Sequence, residues 1–235
     1  MWEFMKEKKF TLVELLVVIA IIGIFMTMLL PSLSKAREVA KRAVCIGNEK
    51  QLSIAVELYS SSNNMFYPAA ATNGSPGSAY IGRISYDDLI SSYRGVELTD
   101  AQKWENPLAP ANEQSISDKV LVCPNDKLER TNGFTRSYSI NAGTTWMYSS
   151  FLGVGNEQGY SISGSEIAEP NNLILMGERL VSANKRGGGS CAIMGNAMNH
   201  LGAGVHGKSD RAVFAFCDGH VSYILKSEAA AKQNR

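Results

Sequence analysis

The sequence predicts an α+β protein, with one long N-terminal helix packed on a head that carries a small antiparallel sheet. Three observations predict it. An uncharged run of 20 residues extends from Leu15 to Ser34. Beyond it, apolar residues recur at helical spacing as far as Tyr59, and the C-terminal part breaks into short strand-like runs. A helix followed by consecutive strands favours segregated α and β layers over alternating βαβ units.

The first half of the helix is apolar all round. Its uncharged run opens LLVVIAIIGIFMTMLL, and about 20 helical residues cross the roughly 30 Å hydrocarbon core of a bilayer. Lys6, Lys8 and Lys9 precede it against Glu3 and Glu7, a flank that keeps the N-terminus cytoplasmic and sends the head across. A cleaved secretory signal would want a shorter apolar region and a small-x-small cleavage site, whereas the exit here reads Leu30-Pro31-Ser32-Leu33-Ser34. A plain single-span anchor leaves Glu14 unexplained, unless that carboxylate lies at headgroup level near the positive helix end. Pro31 removes one helical hydrogen bond and loosens the turn before it, or ends the membrane segment.

The second half is amphipathic. Lys35, Arg37, Glu38, Lys41 and Arg42 interleave with Ala36, Val39, Ala40, Ala43 and Val44, and Leu52, Ala55, Val56 and Tyr59 share one face. One helix from about Thr11 to Tyr59 is expected. Residues 60–115 read as a surface connection with turn chemistry at Asn73-Gly74-Ser75-Pro76-Gly77 and a short helix starting near Asp87. Strands are expected at Val120–Cys123, Ser137–Ile140, Leu173–Met176, Arg211–Cys217 and His220–Leu225, the last two joined by a two-residue Asp218-Gly219 I′ turn. Glu228–Lys232 has helix propensity.

Lys8-Lys9-Phe10-Thr11-Leu12-Val13-Glu14-Leu15-Leu16 resembles the processing site of type IV pilins and type II secretion pseudopilins. The resemblance implies a pilin-like fold and a leader, residues 1–9, cut by prepilin peptidase between Lys9 and Phe10. Phe10 is then N-methylated, and Glu14 pairs with the N-terminal amine of a neighbouring subunit. The family usually has Gly before the cut, where this chain has Lys9. Residues 10–34 become the transmembrane and assembly half of the helix, with Pro31 where such helices stretch during assembly; residues 35–60 form its amphipathic half and 61–235 the head. Head blocks are also similar to those of large pseudopilin-like proteins: Cys123-Pro124-Asn125-Asp126, Arg136 to Asn141, Met176-Gly177-Glu178, and His206 with Asp218-Gly219-His220, a His-x(n)-Asp-Gly pattern.

Other motifs carry less. Gly202–Ser209 matches a P-loop letter for letter, but a strand pattern follows it where phosphate binding needs a helix N-terminus. His200, His206, His220, Asp210 and Asp218 cluster in sequence without a tight zinc spacing; no cofactor is expected, with calcium left open for an oxygen-rich loop outside the cytoplasm. Ser32-x-x-Lys35 and Ser182-x-x-Lys185 lack the companion motifs of a penicillin-binding site. No catalytic set emerges, and the chain is expected not to be an enzyme. Four cysteines permit three full pairings; Cys45–Cys123 and Cys191–Cys217 are the expected ones, with buried free thiols the alternative.

The formal net charge of +1 argues against a nucleic-acid coat. Together these features lead to the expectation of a filament subunit. It waits in the inner membrane with its head outside the cytoplasm, and assembles with its own copies into an extracellular or periplasmic filament through the pilus or secretion machinery. The alternative is a membrane-anchored binding module that does not polymerise.

Overall fold

The computed structural model describes residues 11–70, 84–100, 103, 119–128, 135–141, 153–155, 161–179, 192–193, 206 and 210–233. Helix α1 runs from Leu12 to Ser62 without interruption at Pro31. Two compact units divide within it, between Ala40 and Lys41.

In the first unit, every described residue from Thr11 to Ala40 is exposed. The exposed surface includes Leu15, Leu16, Ile19, Ile22, Phe25, Met26, Leu29 and Leu33, so this part of α1 is apolar on all faces. It is the one described helix long and apolar enough to cross a membrane. Its few polar side chains satisfy themselves locally. Thr27 Oγ1 donates to the Ile24 carbonyl at 2.7 Å and Ser32 Oγ to the Leu29 carbonyl at 2.8 Å, bonds that hide a hydroxyl from an apolar surrounding.

In the second unit, α1 becomes one-sided. Cys45, Asn48, Glu49, Leu52, Ser53, Ala55, Val56 and Ser60 are buried, a spacing of three and four residues that defines a single helical face. The helix ends where Asn64 and Met65 take left-handed conformations, φ 52° and 66°; Met65 N donates back to the Ser60 carbonyl at 2.9 Å.

That face covers a sheet of strands β1 (Tyr138–Asn141), β2 (Ile174–Glu178), β3 (Ala192–Ile193), β4 (Arg211–Phe216) and β5 (Val221–Leu225), in the order β3-β1-β2-β4-β5. β1, β2, β4 and β5 form a four-stranded antiparallel sheet, and the two-residue β3 adds parallel to β1. Alternation along the strands makes two cores. Tyr138, Ile140, Leu175, Ala215 and Cys217 cluster with Cys45, Leu52, Ala55 and Val56 of α1. Ile174, Ala212, Phe214 and Phe216 cluster on their own with Ala229 of the C-terminal helix α3 (Lys226–Gln233). The arrangement is α+β and pilin-like.

Two expectations need correction. Val120–Cys123 is not a strand: Lys119–Leu121 forms a 3-10 turn, and the chain turns again as Asp126 N donates to the Cys123 carbonyl at 2.9 Å. Pro124 has no N–H to offer a sheet, which favours the turn. The β4–β5 hairpin also has a longer loop. Phe216 N donates to the His220 carbonyl and Gly219 N to the Phe216 carbonyl, each at 2.9 Å. Only Gly219 takes positive φ, at 81°; a I′ turn would demand it of Asp218 as well, so Cys217–Gly219 forms the three-residue type I plus bulge connection. Asp218 Oδ1 instead accepts from His220 N at 3.1 Å.

The short helix expected near Asp87 is α2, Tyr86–Leu89, with Ser85 N donating to Asp88 Oδ2 at 3.0 Å. Behind it the Asp87 carboxylate pairs with the Arg136 guanidinium, both side chains fully buried. Arg136 also lies over the Tyr86 ring, 5.2 Å from its centroid.

Candidate functional site

The head blocks that are far apart in sequence meet at one buried polar cluster under α1. α1 brings Cys45 and, one turn later, Glu49 to the sheet, because residues four apart share a helix face. The turn after Leu121 brings Cys123 and Asn125. It is held against β1 by Ser137, whose Oγ accepts from Cys123 N at 2.9 Å and donates to Asp126 Oδ2 at 2.7 Å. Glu178 closes β2, and His206 precedes β4.

Cys45 and Cys123 form a disulfide that closes a 78-residue separation and ties α1 to this turn. Asn48 reinforces the junction by donating to the Val122 carbonyl at 3.1 Å. The His206 ring sits between two partners. Its Nε2 lies 2.8 Å from Glu178 Oε1, and its Nδ1 lies 3.0 Å from Asn125 Nδ2. An amide N–H donating to Nδ1 leaves the ring proton on Nε2, from which it is donated to Glu178, so the tautomer is set by its neighbours. Glu178 Oε2 accepts from Val213 N at 3.2 Å. Tyr223 meets the imidazole edge-on at 5.8 Å, and the Arg42 guanidinium lies over the same tyrosine ring, 4.6 Å from its centroid. One ligand atom from each of Cys45, Cys123, Glu178 and His206 lies within 4.8 Å of all the others, and all four residues are buried.

Glu49 stands apart from this satisfied network. It is fully buried, and neither carboxylate oxygen has a hydrogen-bond partner among the described residues. Burial, and then the charge of nearby Glu178, push its carboxyl well above the usual value of 4.5. Because the folded head holds this proton more tightly than the unfolded chain does, stability falls as pH rises above about 4.5. Glu49→Met should therefore stabilise the head at neutral pH, by about 1–3 kcal/mol. The difference from wild type should shrink as pH is lowered toward 4. Denaturant unfolding of the two proteins across pH 4–8 measures it; a gain that does not change with pH would contradict the assignment.

The sequence cluster of histidines and aspartates does not stay together as one group. His220 pairs with Asp218 at 2.5 Å on the half-exposed hairpin loop and stacks on Phe216 at 4.1 Å, while His206 is buried with Glu178. Asp210 accepts a backbone bond from Lys226 N. Among the described residues the other predicted positions fall elsewhere. Glu14 and Pro31 lie on the first unit of α1; Lys9, Phe10, His200, Cys191 and Ser182–Lys185 lie outside the described residues, as does the Gly202–Ser209 loop apart from His206. The segment after that loop is strand β4.

The Cys191–Cys217 bridge is not formed: Cys217 is a free, buried thiol. Strand alternation turns it to the α1 side of the sheet, against Tyr67, whose hydroxyl donates to Glu57 Oε1 at 3.1 Å. Burial and the Glu57 carboxylate push the thiol pKa up, which disfavours the nucleophilic thiolate.

A family model described as a protein of unknown function (DUF1559) matches residues 34–194. The chain belongs to this family. The DUF1559 match covers about two thirds of the chain and takes in Cys45, Glu49, Cys123, Asn125 and Glu178. His206 and the apolar segment before residue 34 fall outside the matched range. No curated protein and no solved structure matches the chain significantly. Within DUF1559 this chain combines a disulfide-tied α+β head with an N-terminal apolar helix. The helix suggests a membrane anchor or signal, and the disulfide suggests a head outside the cytoplasm.

Glu49, Glu178 and Asn125 were not singled out by sequence as a cluster. Glu178 and Asn125 sit in blocks that stood out by resemblance, and Glu49 carried one signal. A carboxylate at i+4 from Cys45 falls on the face that Leu52 and Val56 mark as buried.

Proposed function

We propose that the protein is a structural subunit of a type IV pilus-like or type II secretion pseudopilus-like filament. On this reading, prepilin peptidase cuts before Phe10, and the N-terminal helices then pack together to build the filament; the protein is not an enzyme. The observation that carries the reading is the first unit of α1, apolar on every face from Leu12 to Leu30 yet opening with the acidic Glu14. Such a helix suits lipid first and copies of itself afterwards, since helices associate in an apolar medium by close packing and by pairing their few polar groups.

Glu14 has a local role that must be separated from an assembly role. Thr11 N and Thr11 Oγ1 donate to Glu14 Oε2 at 2.8 and 2.7 Å, and Glu14 N donates to Thr11 Oγ1 at 3.3 Å. This is a reciprocal capping box at the start of α1, which glutamine also supports. In a filament, the new ammonium of a neighbouring Phe10 would offer Glu14 a counter-charge.

Glu14→Gln keeps the cap and loses the charge; Glu14→Ala loses both. Both variants are expected to insert in the membrane and to fail to build sheared filaments, by at least about tenfold, as removing one partner of a desolvated charge pair costs 2–5 kcal/mol. Filaments at normal yield from Glu14→Gln would reduce Glu14 to a helix cap. N-terminal sequencing of sheared filaments should begin at methylated Phe10; chain found only uncleaved and monomeric in membranes would sink the filament reading.

A further inference from the structure

We propose that the buried side-chain cluster around the Cys45–Cys123 disulfide is also a zinc site. With the two cysteines as thiols, Cys45 Sγ, Cys123 Sγ, His206 Nε2 and one Glu178 oxygen hold a single Zn2+. The four ligand atoms already lie within 4.8 Å of one another. A tetrahedral zinc with bonds of about 2.0–2.3 Å separates its ligands by roughly 3.3–3.8 Å, so the set needs a short contraction and the opening of one S–S contact. Two thiolates, an imidazole and a carboxylate form a donor set of the type that favours zinc over calcium or magnesium.

Charge and hydrogen bonding favour the exchange. A disulfide is neutral, and so is Zn2+ with two thiolates; swapping one for the other leaves the buried charge unchanged and adds no desolvation cost for a net ion. Asn125 already engages His206 through Nδ1 at 3.0 Å. When Nε2 turns to the metal, the ring proton moves to Nδ1, and a half-turn of the Asn125 amide lets its oxygen accept it, the outer hydrogen bond that zinc-bound histidines keep. Glu49, fully buried one turn from Cys45 and without a hydrogen-bond partner among the described residues, is a nearby carboxyl group that a bound cation would help to ionise.

The chemistry balances. A phosphine reductant and water convert the disulfide to two thiols and become phosphine oxide. Zn2+ then displaces both thiol protons to solvent, with no further change of oxidation state. The disulfide and the metal are alternative staples of one junction, chosen by whether the compartment keeps thiols reduced or oxidised.

The test uses the full chain in detergent, in a Cys191→Ser/Cys217→Ser background so that only the Cys45 and Cys123 thiols remain. After phosphine reduction, Co2+ should bind at one per chain. It should show thiolate-to-cobalt charge transfer and the visible bands of a tetrahedral site, both abolished by Zn2+. The oxidised chain should show neither. His206→Gln should weaken Co2+ binding by about 10–100-fold, the size expected for damage to a metal site. Because that variant could fail to fold, reoxidation of the reduced background protein is followed too. Zn2+ should slow return of the disulfide at least about tenfold, and a chelator should restore it. Absent charge-transfer bands, or a reoxidation rate that Zn2+ leaves unchanged, would overturn the site; bands unaltered in folded His206→Gln would overturn the assignment of His206.

Discussion

Replacing Cys45 and Cys123 together with alanine is expected to cost the head about 4.5 kcal/mol, the chain-entropy value for a loop of this length. The bridge closes a 78-residue separation, and without it the unfolded chain regains most of the freedom that the loop removed. It also anchors the α1 face at the point where Cys45 enters the core beside Tyr138 and Ile140. Guanidinium unfolding of the detergent-solubilised chain, followed by near-ultraviolet circular dichroism, measures the loss. Reduced wild type kept in chelator should unfold at about the same midpoint as the double variant. A shift equivalent to less than about 1 kcal/mol would mean that the junction is held by packing and by Asn48 on the Val122 carbonyl, and that the covalent tie is dispensable.

Arg136→Ala is expected to destabilise the head by about 3–5 kcal/mol, because it removes the guanidinium that pairs with the fully buried Asp87 carboxylate. The loss should be of similar size for Asp87→Ala, which removes the carboxylate from the guanidinium that lies over the Tyr86 ring. The double variant Asp87→Leu/Arg136→Met should recover a large part of either loss, since both members of this pair are then apolar. Urea unfolding of the three variants measures each loss and the recovery. Singles that cost as little as surface pairs, about 1 kcal/mol or less, would mean that water reaches the pair.

Local pattern carried much of this fold. The long helix was predicted over about Thr11–Tyr59 and is found over Leu12–Ser62, because sustained apolar content followed by one-sided spacing has no competing interpretation. Ser137–Ile140, Leu173–Met176 and the β4–β5 hairpin fell within a residue or two of their strands. Val120–Cys123 failed because four apolar residues in a row suit a buried turn as well as a strand; Pro124 and the hydrogen-bond demands of Asp126 decided between them. The hairpin loop failed on a finer point. Asp-Gly fits either turn, and the third loop residue, Cys217, was drawn in by the register of Ala215 on Val221.

The candidate site was legible only in pieces. Cys45 and Cys123 were expected to pair, and the blocks around Asn125, Glu178 and His206 stood out by resemblance. Nothing in their spacing said that they meet, since each comes from a different element and long-range contacts leave no periodic trace. His206 read more naturally with Asp210, Asp218 and His220, its neighbours in the chain. Cys217 likewise read as a partner for Cys191.

What the sequence determined by itself was the character of each segment: an uncharged helix that accepts no water, a one-sided helix that must cover something, and strands that alternate. Those properties are set by side chains acting one at a time on solvent and backbone. The tertiary structure decided which polar groups share a dielectric: that Glu49 is buried with no hydrogen-bond partner among the described residues, that His206 faces Glu178, and that Cys217 remains a thiol. Electrostatic and covalent pairing depend on distance through space, and only the fold sets it.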